Sequence, residues 1–162
     1  MHFYSVIIPL FNEEEVFNES YKRLKNVMDS LNEDYELIFI NDGSTDTTET
    51  LVKNTAILDK KVKLINFSRN FGHQIAISAG MDYSSGDAVI IIDADLQDPP
   101  ELIPKMISKY IEGYDVVYAV RSKRKGETFF KKFSAKLFYR TLKYLTDFNI
   151  PVDTGDFRLI SR

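Results

Sequence analysis

An open α/β sandwich on a mostly parallel sheet is the fold this sequence predicts, and three observations predict it. Short runs rich in β-branched and aromatic residues recur along the first 120 positions, and stretches with apolar residues at three- and four-residue spacing separate them. Polar residues of unusual type cluster just after most of the runs. Strand alternating with helix implies parallel pairing through right-handed crossovers.

The runs are "FYSVII" (3–8), "YELIFI" (35–40), "VKLINF" (62–67), "AVIIID" (88–93) and "DVVYAV" (115–120). Helical spacing covers 14–31, 46–57, 73–83 and 100–111; in the first stretch it is carried by Val16, Tyr21, Leu24, Val27, Met28 and Leu31. After residue 120 the alternation stops. Phe130, Phe133, Leu137, Phe138, Thr141, Leu142 and Leu145 then form one helical stripe, with Lys131, Lys132, Lys136, Arg140 and Lys143 around it. The ending "IPVDTGDFRLISR" has no closing helix, so the sequence reads as an excerpt of a longer protein.

The 162 residues are one domain's worth of chain, and 44% hydrophobic residues suit a soluble globule with a real core. The net charge of -3 conceals an asymmetry: residues 1–120 hold 10 Lys and Arg against 20 Asp and Glu, whereas 121–162 hold 11 against 4. The basic tail is expected to meet something anionic, such as phosphate or a lipid surface. Nucleic acid is disfavoured by the acidic sheet edge. Without cysteine, disulfides and thiolate zinc sites are excluded, and the chain suits a reducing compartment. No signal peptide is recognisable, and no apolar run approaches a membrane span of about 20 residues.

In sheets of this kind ligands bind outside the carboxyl ends of the strands. The loops there are "PLFNEE", "NDGSTD", "SRNFGH" and "DADLQDPPE". Asp93 and Asp95 are two apart and share a face of an extended chain, and Gln97 continues it. Two carboxylates and an amide oxygen suit a hard cation, Mg²⁺ or Mn²⁺; the alternative is a solvated turn that leads into the next helix at Pro100. Asp42 stands beside the edge, where it could accept hydrogen bonds from a base or ribose, although Gly43 with Asp46 or Thr45 also makes an ordinary turn and cap. Pro9 ends the first strand, and Asn12 and Glu13 either begin a helix or serve the site. Arg69, Asn70 and His73 surround Gly72, whose backbone could approach a diphosphate at a helix start. Asp156 and Arg158 are two apart, as an internal ion pair or as part of a site.

Taken in this order, "SVIIPLFNEE", "NDGSTD", "SRNFGHQIAISAGMDYSSGDAVIIIDADLQDPPELIPKM" and "DTGDFRL" resemble the family 2 glycosyltransferases with the GT-A fold. The likeness is to the branch that moves a sugar from a nucleotide sugar to a polyprenyl phosphate. The resemblance implies that Pro9, Phe11, Asn12, Glu13 and Asp42 surround the base and ribose of a UDP- or GDP-sugar. Asp93 then approaches the ribose or metal, Asp95 ligates the metal directly and Gln97 is a further ligand. Arg69, Asn70 and Gly72 lie near the diphosphate, Asp156 near the acceptor, and Arg158 and Arg121 face the acceptor phosphate. Two departures stand out: Asn41 occupies a position where many relatives have Asp, and Phe11 one where Tyr is frequent.

These expectations make the chain a single GT-A domain with a donor half (1–120) and an acceptor- or membrane-facing half (121–162), truncated at its C-terminus. It would act as an inverting transferase at the cytoplasmic face of a membrane, with its basic helix on anionic lipid or its stripe buried in a homo-oligomer. Rival readings are a glycan or cell-wall polysaccharide acceptor, a non-catalytic nucleotide-sugar binding module, and a phosphohydrolase of the haloacid dehalogenase type. The last is disfavoured because its first Asp belongs on the opening strand.

Overall fold

The structure is a computed structural model that describes residues 2–120 and 154–162. Residues 1–118 and 156–162 form one compact unit. The basic aromatic stretch, with Arg121 and Arg124, lies outside the described residues.

Six strands form one sheet: β1 (Phe3–Leu10), β2 (Asp34–Asn41), β3 (Val62–Asn66), β4 (Ala88–Ile91), β5 (Val116–Val120) and β6 (Thr154–Ser161). Their order is β3-β2-β1-β4-β6-β5. β1 pairs in parallel with β2 and β4, and β2 with β3, as strand–helix alternation requires. Among the described residues the helices are α1 (Phe17–Asp29), α2 (Thr48–Leu58), α3 (His73–Tyr83) and α4 (Ile103–Ile111). Both faces of the sheet are covered, which explains the near-continuous apolar runs of β1 and β2. Ile38 and Ile40 pack with Ile7, Ile91, Ala76 and Ile77 beneath α3, while Phe39 between them meets Phe17 of α1 edge-on at 5.3 Å.

Five differences from the sequence reading stand out. β1 runs through Pro9 to Leu10, with Pro9 opposite Ile40, so Pro9 does not end the strand; its missing N–H is tolerated because pairing with β4 has already ended at Ile7. α1 starts at Phe17, because residues 13–16 form a turn in which Glu13 accepts the N–H groups of Val16 and Phe17. α4 is preceded by a 3₁₀ turn at Pro100–Leu102, because Pro104 lacks the N–H that would bond the Pro100 carbonyl in a continuous helix. β4 ends at Ile91, so Asp93 and Asp95 do not share a face of an extended strand. Instead the chain turns: the Asp95 carboxylate accepts the Gln97 N–H at 3.0 Å and Leu96 adopts a left-handed φ of 62°. Finally, β6 is a strand where none was foreseen, and it pairs antiparallel with β4 through Ala88↔Ser161 to Ile91↔Arg158. Just beyond this ladder Asp156 comes close to Asp93 and His73, with one ligand atom of each within 4.8 Å of the others.

Candidate active site

The order β3-β2-β1-β4 places a topological switch point between β1 and β4, where the chain leaves β1 toward one side of the sheet and returns on the other. Loops diverge at such a point and leave a crevice at the carboxyl ends. A cavity of about 320 Å³ occupies it, lined by Pro9, Leu10, Phe11, Glu13, Asp42, Asn70, Gly72, His73, Ala76, Asp93, Ala94 and Asp95. Residues from β1, β2, α3 and the β4 loop thus meet at one mouth. Eight of them were expected from the sequence.

The loops are tied to one another by their own polar groups. Asn12, at a left-handed φ of 56°, accepts the Thr45 N–H at 2.8 Å, and its own N–H donates to Ser44 Oγ at 2.9 Å. Glu14 accepts from the Thr47 N–H and hydroxyl, and Asp46 accepts the Thr48 N–H at 3.0 Å where α2 begins. Asn41, placed where relatives of the resembled family carry Asp, donates to Asn66 Oδ1 at 2.6 Å and accepts the Ser44 N–H. Asp42 is only 3% exposed, and its two oxygens accept the N–H groups of Phe71 and Gly72 at 2.7 and 2.9 Å. Asp42 therefore anchors the α3 entry as well as lining the cavity. Gly43 lies so near that entry that a Cβ would sit 2.3 Å from the Arg69 carbonyl carbon.

Phe11 is 45% exposed, an aromatic face available at the cavity wall. Arg69 is outside the lining, with its guanidinium 4.6 Å from the Phe71 ring centre. Asn12 and Gln97 are outside it as well: Asn12 braces a loop, and the Gln97 N–H belongs to the turn.

The electrostatics are those of an acid-rich mouth. Burial pushes the Asp93 carboxyl above its ordinary range; His73 opposes this, whereas Asp95, Asp156 and Asp98 add to it. Glu13 is raised by burial and then by the charges of Asp95, Asp46 and Asp93. Asp93 Oδ1 is buried and makes no hydrogen bond. His73 Nε2 lies 2.9 Å from Asp156 Oδ2 and 3.6 Å from Asp93 Oδ1, and Arg158 Nη1 lies 3.9 Å from Asp156 Oδ1. A buried carboxylate oxygen without a hydrogen bond beside several other carboxylates fits a hard divalent cation, and Asp93 and Asp95 are the lining residues that could offer it oxygen donors. The sequence signalled every acid here and undervalued His73, whose one cue was its place just after Gly72 at a helix start.

A crevice at the switch point of a doubly wound α/β sheet is where proteins of this architecture bind their ligands. Residues 5–162 match the family described as Glycosyl transferase family 2. The chain belongs to the family 2 glycosyltransferases. It is 62% identical over 159 residues to an uncharacterized glycosyltransferase, YkcC, of Bacillus subtilis strain 168, covering 98% of this chain and 49% of that protein. It is 43% identical over 158 residues to a bactoprenol glucosyl transferase of Shigella phage SfV, covering 98% and 52%. The chain thus spans about half the length of the curated relatives it matches. Among solved structures, glucosyl-3-phosphoglycerate synthase of Mycobacterium tuberculosis, with Mn²⁺, UDP and phosphoglyceric acid, superposes with a TM-score of 0.70 at 23% identity, covering 99% of this chain and 56% of that one. A mannosyltransferase of Pyrobaculum calidifontis, with GDP-Man and Mn²⁺, gives 0.69 at 21%, covering 99% and 45%. These likenesses establish the GT-A fold.

Proposed function

We propose that this chain is the catalytic domain of an inverting glycosyltransferase that moves a sugar from a nucleoside-diphosphate sugar to a polyprenyl phosphate at the cytoplasmic face of a membrane. The observation that carries the reading is the acidic mouth at the β1/β4 switch point, with Asp156 and Arg158 brought beside it by β6. The bactoprenol glucosyl transferase at 43% identity supports the lipid acceptor.

Pro9, Phe11 and Glu13 form the wall that takes the base and ribose, with Asp42 holding that wall to the α3 entry. Asn70 and Gly72 line the cavity at the start of α3, where the diphosphate is assigned; the Gly72 N–H is itself held by Asp42, so any anion there meets the first N–H groups of the helix beyond it. Asp93 and Asp95 would hold Mg²⁺ or Mn²⁺, with Gln97 on the same turn as the further ligand the family resemblance implies. When bound, the ion offsets the charge that develops on the departing diphosphate. Asp156 orients the acceptor and Arg158 offsets repulsion between two phosphorylated substrates. An acceptor phosphate monoester, with a second pKa near 6, is mostly dianionic at neutral pH and needs little help from a base. Residues 121–153, outside the described structure and rich in Lys and Arg, are assigned to the anionic lipid surface, where each such residue contributes on the order of 1 kcal/mol.

The test is transfer by the intact protein from radiolabelled UDP- and GDP-sugars to undecaprenyl phosphate in vesicles. A lipid-linked product that fails to form with Asp95→Ala is expected. Donor binding without a lipid product, or transfer to a glycan instead, would overturn the acceptor assignment. Asp156→Asn activity that recovers as pH rises would favour a true base.

A further inference from the structure

We propose that His73 is a positioning residue that holds the Asp156 carboxylate beside Asp93 and so sets the acceptor's approach to the donor. The inference rests on the acceptor reading above.

The geometry assigns the contact. His73 Nε2 is within hydrogen-bond distance of Asp156 Oδ2, at 2.9 Å, whereas Asp93 Oδ1, at 3.6 Å, is beyond it. With its proton on Nε2, the tautomer that a carboxylate neighbour calls for, the ring donates to Asp156 and leaves Asp93 Oδ1 without a hydrogen bond. Asp156 comes from β6 and Asp93 from the loop after β4, and one carboxylate oxygen of each lies with a His73 ring nitrogen inside a cluster whose atoms are all within 4.8 Å of one another. Two facing carboxylates repel, and a donor between them stabilises their close approach.

The position of His73 is itself prepared. It is the first residue of α3, and the preceding Gly72 has a φ of 101°, a conformation that side chains rarely adopt. The N–H groups of Phe71 and Gly72 are held by buried Asp42. A chain of contacts thus runs from Asp42 on the β2 edge, through the α3 entry, to His73 and then Asp156. Arg158, at 3.9 Å from the other Asp156 oxygen, is too far to fix that carboxylate by a hydrogen bond. His73 is the group among the described residues that does so.

The proposal separates donor from acceptor. His73→Ala in the intact enzyme is expected to raise the KM for polyprenyl phosphate, or lower kcat, by about tenfold, the size of one charge-assisted hydrogen bond in a half-exposed place. UDP and GDP affinity should change less than the acceptor parameters do, although His73 also lines the cavity. His73→Gln places an amide N–H near the position of Nε2 and is expected to recover most of the loss, which a merely space-filling role would not require. A His73→Gln enzyme as impaired as His73→Ala, or an effect confined to donor affinity, would overturn the role.

A second measurement reads the contact without turnover. His2 and His73 are the two histidines of this chain. In ¹⁵N-histidine-labelled protein, with His73 assigned by its loss in His73→Gln, Asp156→Asn should shift the His73 ring nitrogens and leave those of His2 in place. Unmoved His73 signals would overturn the contact. Wild-type protein inactive toward polyprenyl phosphate would instead overturn the acceptor reading, and the role with it, while the spectra still decided the contact.

Discussion

Gly43 and Glu36 place individual residues under opposite constraints, one of space and one of charge. At Gly43, φ is +68° and an added Cβ would meet the Arg69 carbonyl carbon at 2.3 Å and the Asn70 nitrogen at 2.6 Å, all backbone and unable to swing aside. Gly43→Ala should cost about 2–4 kcal/mol in urea unfolding and weaken nucleotide binding, because Asn70 lines the cavity. Glu36, at 2% exposure on the sheet, accepts from Ser5 Oγ at 2.6 Å and the Ser85 N–H at 2.8 Å, and it pairs with Lys63. Burial alone would raise its carboxyl, yet Lys63, Ser5 and Ser85 outweigh it and hold it below the ordinary value of 4.5. A lowered folded pKa gives stability that is present above about pH 4.5 and lost as pH falls through the folded value. Glu36→Gln should therefore destabilise by about 1–3 kcal/mol at pH 7, with the gap to wild type narrowing in denaturant melts toward pH 3.

At the scale of elements, α3 is the piece that joins core to site. Its Gly80 lies so close to the sheet that a Cβ would fall 2.5 Å from Ile7 Cγ2 and 2.9 Å from Ile40 Cδ1. Alanine would gain about 1 kcal/mol of helix propensity but overpack by about 1–3 kcal/mol. Gly80→Ala should lower the melting temperature, and Gly80→Val should lower it further; a neutral or stabilised Gly80→Ala would show that α3 can lift away freely. β6 is the complementary element. Phe157 and Leu159 are buried at 1% and 0% exposure, which anchors the strand while Asp156 and Arg158 alternate to its other side.

For the molecule as a whole, the switch-point crevice gathers loops far apart in sequence, so occupancy should stabilise the entire fold. A nucleotide at about 100 times its Kd adds about 2.7 kcal/mol, equivalent to about 5–10 °C in a domain of this size. UDP or GDP with Mn²⁺ should produce such a rise by scanning calorimetry, and the metal-dependent share should vanish in Asp95→Ala. Equal stabilisation with and without Mn²⁺ would argue that the acids serve another ligand. Among the described residues no helix is long and apolar enough to cross a membrane.

Much was legible from sequence because it is local. Among the described residues, apolar spacing marked each helix and the first five strands, and α3 runs over His73–Tyr83 as its spacing indicates. The four polar loops marked the crevice, since each follows a strand whose parallel pairing sends its carboxyl end to one edge. What the tertiary structure decided is long-range. Whether "GDFRL" forms a strand depends on the gap between β4 and β5, and β4 offers it an edge that no pattern within residues 154–161 encodes. His73 and Asp156 meet across 83 positions. Asp42 turns both oxygens to the α3 entry, and the Asp95 turn breaks the shared face expected of Asp93, Asp95 and Gln97. Periodicity reports which face of an element is apolar; which elements become neighbours is set by strand order and packing, and those determine the partners of each polar group.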